Sequence, residues 1–445
     1  VNNTSILSAM RVAEYLGGRD ASVVELGSGE ITAFLVSLSH EYKDARCESA
    51  ARSLASRLTI DEAICLRMNA DEFAACLSAL SAWYREDIFR EAGLALTKRL
   101  ATDDSLFWSI NSQQLASCLD ALNKWDKEPV CRAAAVRLAT RIFVDKVLAN
   151  ALHRHEIAGV LNALSKWPDE EVCRGASVQL AERIVGDQLL LARMNAQEVA
   201  SCLYALGKWS NDRTCEEAAR RFARRLSTDE SLIRQLNGVR LTHCLSGLGT
   251  WSDDEACHAA GQRLARRLTE DGPLRHHLNG RHVAVCLDAL AKWCSDEVCS
   301  SAATRLSRRI ASDASICHRL SVKHVVNCLG ALSRLHDSTA TAAAAIRLSQ
   351  RIVDDISLVE QMNGEAITAC LIALTRWYSQ AACHEAAVQI AKRLVKDDAL
   401  LVDFHEQQLV QCLQALSRWE HGSTFDEASR ILQLRMPDRA TADVQ

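Results

Sequence analysis

Val199, Cys202, Leu203, Leu206 and Trp209 recur three or four residues apart and fall on one stripe of an α-helix, with Gln197, Ser201, Tyr204 and Lys208 on the opposite face. Asn195 stands just before the stripe with Glu198 three residues on, the pattern of a capping box, so a helix is predicted from Asn195 to about Trp209. A second apolar stripe, Cys257, Ala260, Leu264 and Leu268, follows the acidic turn Ser252-Asp253-Asp254-Glu255, whose carboxylates suit the positive end of a helix dipole. A third, shorter segment opens at an aspartate such as Asp229 and carries an apolar pair, Leu232 and Leu236. Two long helices and a short one are the predicted unit.

The unit repeats. Trp83, Trp125, Trp167, Trp209, Trp251, Trp293, Trp377 and Trp419 keep a spacing of 42 residues or its double, and Leu335 fills the one position without an indole. Asn69, Asn111, Asn195, Asn237, Asn279 and Asn363 share the capping position, and Asp61, Asp103, Asp145, Asp187, Asp229, Asp271, Asp313, Asp355 and Asp397 open the short segments. Counted from the cap, units begin at 27, 69, 111, 153, 195, 237, 279, 321, 363 and 405. Residues 1–26 read as the last helices of a preceding unit, and Val1, opening in the middle of a unit, reads as the start of a segment cut from something longer. No unit of this size buries its stripe alone, so neighbours must stack: the prediction is an all-α solenoid superhelix of about ten 42-residue repeats spanning 27–445.

Composition narrows the function classes. Four prolines and 18 glycines among 445 residues, with 48% hydrophobic and 5% aromatic residues, exclude a turn-rich β-protein. The 52 basic and 56 acidic side chains leave a net charge of −4, which is not that of a globally basic nucleic-acid binder. No apolar run approaches the ~18 residues of a membrane span. Fifteen of the 18 cysteines occupy two repeated positions, so they read as small buried hydrophobes in a reducing setting rather than as a disulfide framework. No CxxC pair suggests zinc, and Cys257-His258, Cys317-His318 and Cys383-His384 are helix neighbours that point ~100° apart. Gly27-Ser28-Gly29 reads as a helix start rather than a phosphate loop. The sequence is thus expected to carry no catalytic, cofactor or metal site.

Repeated positions should hold the stack and variable ones should recognise partners. An arginine sixteen residues after each tryptophan position, as in Arg99, Arg141, Arg183, Arg225, Arg267 and Arg309, precedes the aspartate by four and is expected to pair with it and with nearby helix-end carbonyls. The tryptophans are expected to pack between units. Two faces remain. On the second helix a basic row runs through Arg137, Arg221, Arg263, Arg305 and Arg347, beside Arg224, Arg266 and Arg308, and it is the candidate surface for acidic groups of a partner. On the first helix the face opposite the stripe carries Ser117, Asp120 and Lys124, then Asn162 and Lys166, then Ser201, Tyr204 and Lys208.

Ser165-Lys166-Trp167-Pro168, with its variants Asn123-Lys124-Trp125, Gly207-Lys208-Trp209, Ala291-Lys292-Trp293 and Ser417-Arg418-Trp419, resembles the SKWP repeats of type III secreted effectors of plant-pathogenic bacteria. That resemblance covers essentially the whole chain. It implies an armadillo/HEAT-like repeat scaffold delivered into a host plant cell, with a role in virulence, a host protein as partner, no small-molecule substrate and no residue of established catalytic role. The segment Met194–Leu206 also resembles the first helix of octotricopeptide-type RNA-binding repeats. That similarity implies the alternative in which the first-helix residues just named read single-stranded RNA.

Overall fold

The computed structural model of the chain describes residues 3–17, 26–336, 338–402, 404–419 and 422–436. The secondary structure of these residues is helical throughout, thirty α-helices with single 3-10 turns and no strand. The unit beginning at Asn69 shows the build. The Asn69 side chain accepts from the Glu72 backbone N–H at 2.9 Å, while the Glu72 carboxylate accepts from the Asn69 N–H at 3.3 Å. This closes the capping box of the first helix, Ala70–Leu80. A 3-10 turn, Ser81–Trp83, brings the indole under cover, and the second helix, Asp87–Thr102, packs on the first.

Asp103 ends that helix and starts the next. Its carboxylate accepts from the Leu106 N–H at 3.1 Å and caps the short helix Asp104–Ser109. His153 and His405 take the place of the capping Asn and keep a Glu or Gln partner three residues on. The first helix of the Leu335 unit is longer, Val322–Arg334, and like Arg154–Leu164, Ala196–Leu206 and Gly280–Ala291 it is not followed by a 3-10 turn.

The helices gather into two compact units, Val1–Phe222 and Ala223–Gln445. In the first, the first helices Ser28–Ser39, Ala70–Leu80, Ser112–Leu122, Arg154–Leu164 and Ala196–Leu206 pack each on the next, and so do the second helices Ala45–Ile60, Asp87–Thr102, Pro129–Val144 and Glu171–Gly186. Helix Asn3–Gly17 packs on Ala45–Ile60 as one more second helix. The remainder of the partial repeat expected at the start, residues 18–25, and the chain end at 437–445 lie outside the described residues.

In the second unit the same two rows form from Gly238–Leu248, Gly280–Ala291, Val322–Arg334, Gly364–Leu374 and Glu406–Leu416, and from Glu255–Glu270, Glu297–Ser312, Thr339–Asp354, Ala381–Lys396 and Ser423–Leu434. Two rows of like helices, each touching its successor, are the architecture of an α-solenoid. The core is the seam between the rows, where the repeated Cys, Leu and Ala of both stripes are buried.

Among the described residues no helix is long and apolar enough to cross a membrane.

Candidate functional site

The repeated side chains join one repeat to the one before it. The indole N–H of Trp83 donates to the carbonyl of Tyr42 at 2.9 Å, Trp125 to Tyr84 at 3.2 Å, Trp167 to Asp126 at 3.1 Å and Trp293 to Ser252 at 2.8 Å. Each acceptor lies 41 residues back, in the turn of the preceding repeat. Trp209, Trp251, Trp377 and Trp419 are buried in the same way, and the indole nitrogens of Trp209, Trp377 and Trp419 have no acceptor among the described residues.

The arginines do a related job at the other end. Arg99 donates to the carbonyls of Cys65 and Met68 at 2.5 and 2.7 Å, at the end of the preceding short helix Glu62–Arg67, while its Nε donates to Asp103 at 3.0 Å. Arg183 donates to Ala149 and Leu152 at 2.8 and 2.6 Å. Arg141 reaches Phe107 and Trp108, Arg267 reaches Arg234, and Arg309 reaches Arg275 and His276, in each case at backbone carbonyls. Arg225 pairs with Asp229 at 3.7 Å. A helix C-terminus leaves carbonyls without intrahelical partners and carries partial negative charge, so a guanidinium fork fits there. Burial pushes the Arg141, Arg183, Arg267 and Arg309 guanidiniums down in pKa, and the aspartate four residues on pulls each of them back up.

The cation before the tryptophan also reaches back. Lys166 pairs with Asp126 at 3.6 Å, Lys292 donates to the Gly249 carbonyl at 2.9 Å, Arg334 pairs with Asp288 at 2.7 Å, and Arg376 donates to the Ser333 carbonyl. Lys124 faces Asp120 on its own helix at 3.9 Å, and Lys208 lies 5.0 Å over the Tyr204 ring. Ser117, Asn162, Ser201 and Tyr204 are half-buried, whereas Asp120, Lys124, Lys166 and Lys208 are exposed. The cations of this face are therefore largely engaged within the protein. Among the described residues, exposed aromatics are few and scattered: Tyr84 and Trp108 lie on different elements of one repeat and Tyr378 seven repeats on, which is too sparse for a stacking platform.

The second-helix row divides into two kinds of arginine. Arg137 donates to the Leu100 carbonyl at 3.0 Å, pairs with Asp104 and lies 4.3 Å over the Phe107 ring. Arg263 donates to the Ser227 carbonyl at 2.7 Å and pairs with Glu230. Arg347 makes long contacts of 3.4 and 3.5 Å to the Ala311 carbonyl, and Arg221 pairs with Glu217 on its own helix at 3.0 Å.

Arg137 and Arg263, expected on an exposed row, thus close the end of the preceding second helix. Sequence alone could not place the carbonyls that they reach, 36 or 37 residues back. Arg224 is exposed. Arg266, Arg305 and Arg308 are exposed and form no ion pair or side-chain hydrogen bond with any described residue. Arg305 and Arg308 line an open groove of about 510 Å³ with Cys294, Ser300, Thr304 and His336.

Seventeen of the cysteines are buried and Cys294 is half-buried; all 18 are free thiols. Burial pushes Cys118, Cys173 and Cys370 up to about 12, so these are protonated packing groups rather than thiolate nucleophiles. One cluster that sequence reading missed joins two repeats: His258, Asp296 and Cys299, whose ligand atoms all lie within 4.8 Å of one another. The signal for it was the imidazole at 258, where the matching positions of earlier repeats carry Arg90, Arg132, Arg174 and Glu216.

No protein-family model matches the chain, and no curated protein does. Among solved structures the chain is similar to the crystal structure of an engineered protein from the Northeast Structural Genomics Consortium, at 14% identity over 90% of this chain and 97% of that one. The TM-score of 0.18 is too low to inform fold or function.

Proposed function

We propose that the chain is a non-enzymatic scaffold that holds an acidic segment of a partner protein on the second-helix face marked by Arg266, Arg305 and Arg308. The observation that carries this reading is the contrast within one row: Arg137 and Arg263 are tied to the preceding repeat, while these three guanidiniums have no ion pair or side-chain hydrogen bond among the described residues. An arginine fork matches a carboxylate in two places at once, and several such contacts on a stacked array add up. The groove beside Arg305 and Arg308 offers hydroxyls of Ser300 and Thr304 to the same guest.

The Ser-Lys-Trp-Pro sequence at 165–168 and the 42-residue period support placing this scaffold among bacterial effectors that act inside host cells. The engagement of Lys124, Lys166 and Lys208 within the protein favours a protein partner over RNA.

The test is a titration with a labelled glutamate-rich peptide and with labelled single-stranded RNA, over a range of salt, on the native chain and on the triple variant Arg266→Glu, Arg305→Glu, Arg308→Glu. Peptide binding that falls at least tenfold in the variant, with the thermal transition unmoved, is the expected result. Peptide binding equal in both proteins overturns it. RNA bound more tightly than peptide, with affinity dropping steeply as salt rises, would establish the RNA reading instead.

A further inference from the structure

We propose that His258, Asp296 and Cys299 form a zinc-class metal site across two successive repeats. Among the described residues this is the set of His, Cys, Asp and Glu side chains whose ligand atoms converge, all within 4.8 Å. His258 Nε2 faces Asp296 Oδ2 at 3.8 Å. That gap is too long for a hydrogen bond. Nitrogen and oxygen donors about 2.0–2.2 Å from a tetrahedral zinc ion sit roughly 3.3–3.6 Å apart, and a thiolate at about 2.3 Å sits little further. Closing the set onto one ion needs side-chain shifts on the order of 1 Å, within reach of the His258 and Asp296 rotamers.

Three further features prepare the site. His258 Nε2 is buried yet has no hydrogen-bond partner among the described residues, and the imidazole lies nearly parallel to the Trp293 ring with centroids 6.0 Å apart. Gln262 donates to Asp296 Oδ2 at 2.6 Å and the Cys299 N–H donates to Oδ1 at 2.8 Å, so the carboxylate is oriented before any ion arrives. Burial works against ionisation of Asp296, but these hydrogen bonds outweigh it and hold the carboxyl below its ordinary range.

The repeat supplies an internal comparison. In two earlier repeats an arginine at the matching position makes an ion pair with the acid that opens the next second helix: Arg90 with Glu128 at 2.9 Å, and Arg132 with Glu170. Cys131 and Cys173 stand three residues beyond those acids, as Cys299 stands beyond Asp296. The thiol and the acid are thus common parts. Only an imidazole at 258 turns them into a nitrogen, oxygen and sulfur ligand set, which suits zinc better than magnesium or calcium.

Binding replaces the Cys299 thiol proton with the metal–sulfur bond and releases that proton to solvent. Affinity therefore rises with pH. Three protein ligands leave a fourth position for water.

The experiment uses chelator-treated full chain, cobalt(II) as spectroscopic probe and zinc as competitor, on native protein, Cys299→Ser, His258→Arg and Gln262→Ala. The His258→Arg variant restores the ion pair of the earlier repeats and so removes the ligand without removing the cross-repeat contact. Expected are one cobalt per chain with a thiolate charge-transfer band that zinc abolishes, loss of that band in Cys299→Ser and His258→Arg, and about 10–100-fold weaker binding in Gln262→Ala. No band in the native protein, or a band that survives in both ligand variants, overturns the proposal.

Discussion

Trp125 lays its indole on Gly93 of the preceding repeat so closely that a Cβ at position 93 would stand 2.5 Å from the ring. Trp293 and Gly261 repeat the arrangement, with a corresponding separation of 2.7 Å. The matching positions elsewhere are Ala51, Ala135, Ser177, Ala219, Ala303, Ala345 and Ala387, all fully buried, and the half-buried Ser429, so every repeat keeps a small residue there. Gly159, by contrast, has open space where a Cβ would be.

The two glycines should therefore answer alanine with opposite signs. Gly159→Ala is expected to raise stability by about 0.5–1 kcal/mol, because alanine loses less backbone entropy on folding. Gly93→Ala is expected to lower it by about 1 kcal/mol net, as the ring is forced back. Urea unfolding of both variants measures the difference, and a gain at both positions would contradict the packing described.

The buried thiols predict an alkaline weakness. Their folded pKa values lie above the unfolded value, with Cys118 and Cys370 pushed up to about 12, so the stability they contribute is complete below about pH 8.5 and is lost as pH rises towards 12. Each such group adds a slope of about −1.4 kcal/mol per pH unit inside that window. Guanidinium unfolding at about pH 8 and about pH 10 should show a clear fall. In the native state one thiol, Cys294, should react rapidly with an aromatic disulfide reagent, and the rest should react after unfolding.

Asp103 predicts the acid limb. A hydrogen bond from Ser105, the Leu106 N–H and the Arg99 guanidinium hold its carboxyl down at about 2 against the opposing effect of burial. The stability it adds is present above about pH 4 and is lost as pH falls through about 2. Asp103→Asn keeps a capping side chain but removes the titration. The gap in unfolding free energy between native and variant protein should thus be larger at about pH 5 than at about pH 2.5. An unchanged gap would remove the carboxylate from the account.

The architecture was legible because its cause is local and repeated. Asn195 and Glu198 announce a helix start, Asp229 announces the next, and a constant spacing of Trp167, Trp209 and Trp251 leaves no room for insertions. Partners set by the stacking offset were not legible. Arg263 looks solvent-facing on a helical projection, yet in the structure it meets Ser227 and Glu230. In sequence His258 adjoins Cys257, whereas its side chain converges with residues 38 and 41 further on. A one-dimensional pattern gives the face of a helix but not how far the next repeat slides along it.

The central claim is that the arginines of this chain divide into those that join repeats and those left for a partner. Its most direct test is equilibrium unfolding of Arg183→Ala beside Arg305→Ala. Arg183 holds the Ala149 and Leu152 carbonyls, and its loss should cost about 2–4 kcal/mol as both are left without that donor. Arg305, exposed and without an ion pair among the described residues, should change stability by less than about 0.5 kcal/mol. Equal losses in the two variants, or a loss confined to Arg305→Ala, would contradict the division.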